Sequence, residues 1–343
     1  VPGPLKLASL WRVVRDIDLS ALRLAAQARF ALSVVSENGE DAAALQSQLS
    51  AGLHVAHPWI ETAAATPEAL SNLSSTPVAG LIVTRSARLS PALASALQRF
   101  AAIGRPVITI VVGDLSPGAG ATGPRERARV LVAALNADAI EKLAPALVDV
   151  AGEEGQLALA AQLPALRRTV FSRTIERTSR ANASFALTTG LAETIPILTA
   201  PLNLGDIVIL TKNQLMMCYR IALAAGRDGE PRALMGEILG VLGGGVLFRT
   251  AARELVGMVP VIGIVPKVAI AYAGTQAIGR AMVAWTTEGR QVTADAVARY
   301  SREGLEKGRA LAERLAGEHG LDRKPSRLER WKQFLPLPRR KVN

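Results

Sequence analysis

The stretch FALSVVSENGEDAAALQSQL, residues 30–49, changes its period half-way, and that change decides the fold of the first half of the chain. Phe30-Ala31-Leu32-Ser33-Val34-Val35 is a short β-type run, and Ser36-Glu37-Asn38-Gly39 is a turn signal. A helix is predicted from about Glu40 to Leu49. Downstream, Val78–Thr84 and Val107–Val112 read as buried strands. Between them lies a helix from Ser90 to Ile103, with Ser90 as cap and Pro91 at its first position. Strands alternating with helices predict an α/β domain with a parallel sheet.

A strand, a tight loop and a helix also make the place where a phosphate-binding loop would sit, because a helix N-terminus offers free N–H groups and partial positive charge. A working loop needs Gly-x-x-x-x-Gly-Lys-Ser/Thr. Over residues 36–45 those four positions hold Ser36, Asp41, Ala42 and Ala43, so the ammonium and the metal-binding hydroxyl have both become methyl groups. Glu40 and Asp41 satisfy the helix dipole themselves and repel a phosphate. The substitutions favour an ordinary strand–helix turn with acidic capping.

The 343-residue length points to two domains. Hydrophobic residues make up 49 %, against 4 % aromatic and 20 % charged, which supports a large core and argues against global disorder. The formal charge of +11 is concentrated. Between Arg323 and Lys341 eight basic residues face one Glu, and between Leu163 and Arg180 five Arg face one Glu; the rest of the chain is neutral. The lone Cys218 excludes a disulfide framework and a thiolate cluster, and its apolar setting predicts a buried thiol. The opening VPGPLKLASLWRVV lacks the uninterrupted apolar core of a secretory signal, so a cytoplasmic location is expected. His54 and His57, read as strand residues, would point to opposite faces, and His319 is remote, so zinc is not expected. No nucleophile elbow or paired carboxylates stand out.

The remaining half must bury a long apolar stretch, Thr188 to Trp285, punctuated by Gly and Pro rather than by charge. Helices are expected at 125–135, 138–150, 155–163 and 166–189, the last carrying Arg167, Arg168, Arg173, Arg177 and Arg180. Asn203–Asp206 reads as a turn with Asp206 as N-cap, followed by a helix to Ala225 that Gly226 stops. Gly236, Gly240 and Gly244 form a small-residue stripe for close helix approach, and Pro260 and Pro266 should kink the next helix. Met235–Phe248 is short of a bilayer span, and Leu255–Gly279 carries Lys267 near its middle. A hairpin dipping into a bilayer, a bundle resting on it, or a soluble bundle all remain open. After an amphipathic helix from Thr293 to Leu315, the tail interleaves Arg330 and Lys332 with Trp331 and Phe334, the pattern of a surface anchor.

The layout of the first half resembles the Era-like GTPases. In that family a strand after a Gly-[Lys/Arg]-Pro turn ends in Asn-Lys-x-Asp. Here Gly104-Arg105-Pro106 leads to Val111-Val112-Gly113-Asp114, in which only the Asp survives. No Asp-x-x-Gly lies between Leu53 and Pro77. The runs ALTTGLAETIPI, LNLGDIVILTKNQLMMCYRIALAAG and LVGMVPVIGIVPKVAIAYAGTQAIG resemble the helical "domain of unknown function 697" type, over about Leu166 to Leu315. The resemblance implies a degenerate P-loop GTPase-like parallel sheet followed by an all-α hydrophobic domain. It also implies a vestigial nucleotide pocket at Ser36, Gly39 and Asp114.

The expected organisation is an N-terminal amphipathic helix at 1–28, the α/β domain at 29–150, an Arg-rich helical linker at 151–187, the helical domain at 188–318 and the basic tail at 319–343. The expected task is a non-catalytic interaction protein on the inner membrane face. The linker arginines and the tail residues Arg330, Trp331, Lys332 and Phe334 would contact membrane or a protein partner. No cofactor is expected, with GTP or GDP binding by a weak switch as the alternative. Nucleic acid is disfavoured, since no aromatic-bearing sheet face accompanies the basic segments.

Overall fold

The computed structural model describes residues 18–75, 77–113, 125–193, 202–243, 264–289 and 293–318. Helix α1 (Leu19–Gln27) precedes β1 (Leu32–Ser36), α2 (Glu40–Leu49), β2 (Ile60–Ala64) and α3 (Pro67–Ser71). Then come β3 (Ala79–Thr84), α4 (Pro91–Ala102), β4 (Val107–Val112) and β5 (Glu126–Val132). From there the chain is helical: α5 (Ala137–Gln162), a 3-10 turn (Pro164–Leu166), α6 (Arg167–Glu193), α7 (Leu202–Ala224), α8 (Pro231–Gly243), α9 (Ile264–Glu288) and α10 (Ala294–Glu318).

The five strands form one sheet in the order β2-β1-β3-β4-β5, with all four pairings parallel. The strand period of two sorts their side chains onto two cores. Val34, Leu81, Val83, Ile108 and Ile110 pack with Leu45 of α2 and Leu143 of α5. Val35 and Ile82 face the other way, against Leu93 and Phe100 of α4 and Leu70 of α3. The three central strands are buried along their whole length, as parallel strands covered by helices on both faces should be. Gly80 makes one of these contacts possible: a Cβ there would lie 2.5 Å from the Phe100 ring.

Two edge strands correct the sequence reading. Residues 126–132, expected to be helical, form β5, whose inward residues Ala128, Val130 and Val132 recur with period two. Arg127 is exposed, and Arg129 on the opposite face is half-buried against Glu126 and the Ala87 carbonyl. Residues 60–64 form β2, and His54 and His57 lie in the turns before it rather than in a strand. His57 stacks on Phe30, its ring 5.1 Å away, and meets Trp59 edge-on.

Helix α5 is continuous except at Gly152, whose backbone (φ 67°) bends it where two helices were expected. It belongs to both halves: Leu147, Leu159 and Leu163 pack under the sheet, whereas Val148, Leu157 and Ala160 join the helical core. That second core gathers Phe171 and Ile175 of α6, Tyr219 and Ile221 of α7, Met235 and Ile238 of α8 and Met282 of α9. Leu19 and Ala26 of α1 also pack into it. Cys218 is buried there, and burial pushes its thiol pKa up, away from reactivity.

Two local expectations for the helical half are corrected. The backbone of 203–206 is already helical, so α7 begins at Leu202 and Asp206 is not its cap. Helix α9 runs without a break through Pro266 over its described length, Ile264–Glu288; Pro260 lies outside the described residues. Of the small-residue stripe, a Cβ on Gly240 would meet nothing within 4 Å among the described residues, and Gly244 lies outside them. A close approach is found between α10 and α9. A Cβ on Gly304 would lie 3.0 Å from Ala273 Cα, and one on Gly308 2.8 Å from the Ala269 carbonyl. Gly226 does end α7 as expected, at φ +80°, with the Arg227 N–H donating to the Ala222 carbonyl.

Among the described residues no helix is long and apolar enough to cross a membrane.

Candidate functional site

The carboxyl ends of β1 and β3 are where this strand order changes direction, the crevice in which doubly wound sheets take their ligands. Ser36 closes β1 and is buried. Its Oγ accepts two hydrogen bonds, from the N–H of Gly39 and the N–H of Ala42, both 3.1 Å. Gly39 takes the left-handed conformation (φ +85°) that turns the chain into α2. The Glu40 N–H donates to Asn38 Oδ1 at 3.1 Å. Three of the N–H groups at this helix start, those of Gly39, Glu40 and Ala42, are thus already occupied by the chain's own side chains.

One residue further on, Asp41 is gripped by Arg85 from the loop after β3. Arg85 Nε donates to Oδ2 at 2.9 Å and Nη2 to Oδ1 at 2.7 Å, a planar two-point pairing. This contact raises the pKa of the Arg85 guanidinium, first through the hydrogen bond and then through the charge of Asp41. Beside it the Ser86 N–H donates to Thr84 Oγ1. Ser36 and Gly39 therefore do come together at the carboxyl end of β1, with their hydrogen-bonding capacity directed inward. Asp114 lies outside the described residues. Neither Arg85 nor Thr84 stands out in the sequence, because the partner of Arg85 is 44 positions away.

The five linker arginines line α6 and pair internally. Arg168 meets Glu141 at 2.6 Å, Arg173 meets Asp149, and Arg177 meets Glu153, all carboxylates of α5. Arg180 bonds Glu176 one turn back, at 2.6 Å. Arg167 donates from Nε and Nη2 to the Ala160 and Ala161 carbonyls at the end of α5, and burial lowers its pKa. A Cβ on Gly226 would lie 2.7 Å from Arg167 Nη2, so glycine is needed there for space as well as for φ. Arg167, Arg168, Arg173 and Arg177 lace α6 to α5, while Arg180 pairs within α6. Arg330, Trp331, Lys332 and Phe334 lie outside the described residues.

Polar side chains also occupy the centre of the helical half. Asn182 of α6 donates to Thr275 Oγ1 of α9 at 2.9 Å and accepts from Asn213 of α7 at 2.8 Å; Gln214 reaches the same Thr275 oxygen at 3.2 Å. One turn away, Tyr272 donates its hydroxyl to Glu176, which also accepts from Gln276. Burial pushes the Glu176 carboxyl pKa up, but the Tyr272 hydroxyl and Arg180 pull it further down, and it ends below the ordinary value. Among the described residues no group of three or more His, Cys, Asp or Glu could hold a metal ion.

Comparison with known proteins adds no name to this geometry: no family model, no curated protein and no solved structure matches the chain.

Proposed function

We propose that the chain is a non-catalytic interaction protein. In this reading the α/β half is a pseudo-GTPase-like module, and the helical half with its basic tail docks it on the cytoplasmic face of a membrane. The observation that carries the non-catalytic part is the Ser36 hydroxyl sitting on the N–H groups of Gly39 and Ala42, with Asp41 held beside it by Arg85. An incoming triphosphate would meet two carboxylates, Glu40 and Asp41, and no lysine or magnesium-binding hydroxyl at Ala42 and Ala43. The docking part rests on the eight basic residues between Arg323 and Lys341 and the aromatic residues among them, each basic group near anionic lipid contributing about 1 kcal/mol. Because the arginines of α6 are matched by carboxylates of α5, the tail is the stronger candidate for the anchor.

Titrating labelled GTP and GDP into the purified chain tests the first half of this proposal. No saturable binding is expected, whereas micromolar binding abolished by Asp114→Ala would favour a guanine-nucleotide switch. Fractionation tests the second half: membrane association released by high salt is expected, and retention in carbonate would mean insertion. A chain wholly in the soluble fraction would leave a soluble helical scaffold as the better reading.

A further inference from the structure

Helices α6 and α9 meet closely at Gly279, where a Cβ would lie 2.6 Å from Ile175. Around this contact, bounded on the third side by α10, lies a cleft of about 810 Å³, within the ordinary range for small-molecule sites. Its inner wall is apolar, built from Phe171 and Ile175 of α6 and Val283 and Ala284 of α9. Its rim is basic, with Arg168 of α6, Arg280 of α9 and Lys307 of α10, and the Tyr300 ring beside them. A smaller cavity of about 430 Å³ on the same Lys307, lined also by the Glu176–Arg180 pair, adds Arg314 to the local field.

Two carboxylates also line the larger cleft, Glu176 and Glu288. Glu176 is engaged by Tyr272, Gln276 and Arg180 and so is already neutralised within the helix seam. Two of the rim cations, Arg168 and Arg280, have partners that can be exchanged. Arg168 and Glu141 are both largely exposed, at 85 % and 65 % of their side-chain surface, and such a pair holds its geometry weakly. Arg280 reaches out to Glu303 across the α9–α10 seam while its guanidinium stays over the Tyr300 ring. A deep apolar wall under a ring of Arg and Lys suits a ligand that is apolar at one end and carries a compact, doubly charged oxyanion at the other.

We propose that the cleft between α6, α9 and α10 binds an amphiphile with a phosphate head and an apolar body, Lys307 and Arg280 holding the phosphate while Phe171, Val283 and Ala284 cover the chain. The site is independent of the pseudo-GTPase reading, and it requires no membrane docking because a free alkyl phosphate meets its chemistry.

Calorimetric titration of the full chain with dodecyl phosphate, below its micelle concentration, tests the site. Saturable binding is expected, weakened more than tenfold by Lys307→Glu at the rim and by Ala284→Trp in the wall, and unchanged by Arg232→Glu on the exposed start of α8. Thermal melts identify any variant that fails to fold; should Lys307→Glu do so, Ala284→Trp decides. Absence of binding, equal binding by all variants, or equal binding of uncharged dodecyl maltoside overturns the proposal. Binding of inorganic phosphate as tight as that of dodecyl phosphate overturns the role of the apolar wall. Sedimentation with phosphatidylcholine vesicles, with and without phosphatidic acid, separates the sources. Pull-down by phosphatidic acid that both variants lose identifies a bilayer lipid, and loss confined to free dodecyl phosphate identifies a soluble amphiphile.

Discussion

The two halves of this molecule place their polar groups in opposite ways. In the sheet half the interior is almost wholly apolar, and the polar chemistry is gathered past the carboxyl end of β1, where Ser36 and Asn38 take up N–H groups at the start of α2 and Arg85 takes up Asp41. In the helical half the polar groups are central: Asn182, Asn213, Gln214 and Thr275 bond side chain to side chain between three helices. The first cluster defines a local turn. The central cluster defines how α6, α7 and α9 slide against each other, because a one-turn slip would leave several buried donors unpaired. Apolar surface alone, being non-directional, would not select that register.

If the contrast holds, the largest effect comes from the sheet. Leu81→Ala empties a fully buried site in the central strand and should cost about 2–5 kcal/mol, read from the urea midpoint. A cost below 1 kcal/mol would show that the sheet core can collapse around the gap. Next is Asn182→Leu, which strands Asn213 and Thr275 and should cost about 2 kcal/mol. The sharper version replaces Asn182, Asn213 and Thr275 together by apolar residues. Stability should then recover most of the loss, while the near-ultraviolet dichroism of Tyr219 and Tyr272 should broaden as register is lost. Recovered stability with an unchanged spectrum would refute the register role.

At the carboxyl end of β1, Ser36→Ala leaves the Gly39 and Ala42 N–H groups without an acceptor and should cost about 1 kcal/mol by the same urea measurement. The smallest effect concerns His57. Burial lowers its pKa, against a hydrogen bond with Gln162 that raises it, and its Nδ1 accepts from the Trp59 N–H. With the folded pKa below the unfolded value near 6.5, its contribution is fully present above that value and fades as pH falls through the folded one. The urea midpoint of the native chain should therefore drop slightly more between pH 7.5 and pH 5 than that of His57→Phe. Identical drops would remove His57 from the account.

The contrast also explains what could be read from the sequence. Strands β1, β3 and β4 are legible because both their faces are covered, which makes them unbroken apolar runs. The misplaced strand, β2, and the one expected as a helix, β5, are the sheet's edges. IETAA carries a charge and three small residues, and ERARVLV hides its period of two behind charges that suit an edge. Ser36 and Gly39 could be found from the loop motif, since their spacing is local. The hold of Arg85 on Asp41 and the link from Asn182 to Thr275 span 44 and 93 positions and leave no local pattern. In the helical half the abundance of apolar residues pointed to lipid, whereas the rarer Asn, Gln and Thr that occupy its centre look individually unremarkable in sequence.

Helix α1 comes before the sheet in the chain yet packs in the helical half, where Arg23 and Gln27 hold Asp228 and Gln162 holds the Ala26 and Ala28 carbonyls. Helix α5 returns to the same place from the other end of the sheet. The α/β half is thus bracketed, entered and left through its neighbour's core. Cutting it out as an autonomous bead would sever both stitches, and heating the intact chain should melt both halves in one transition.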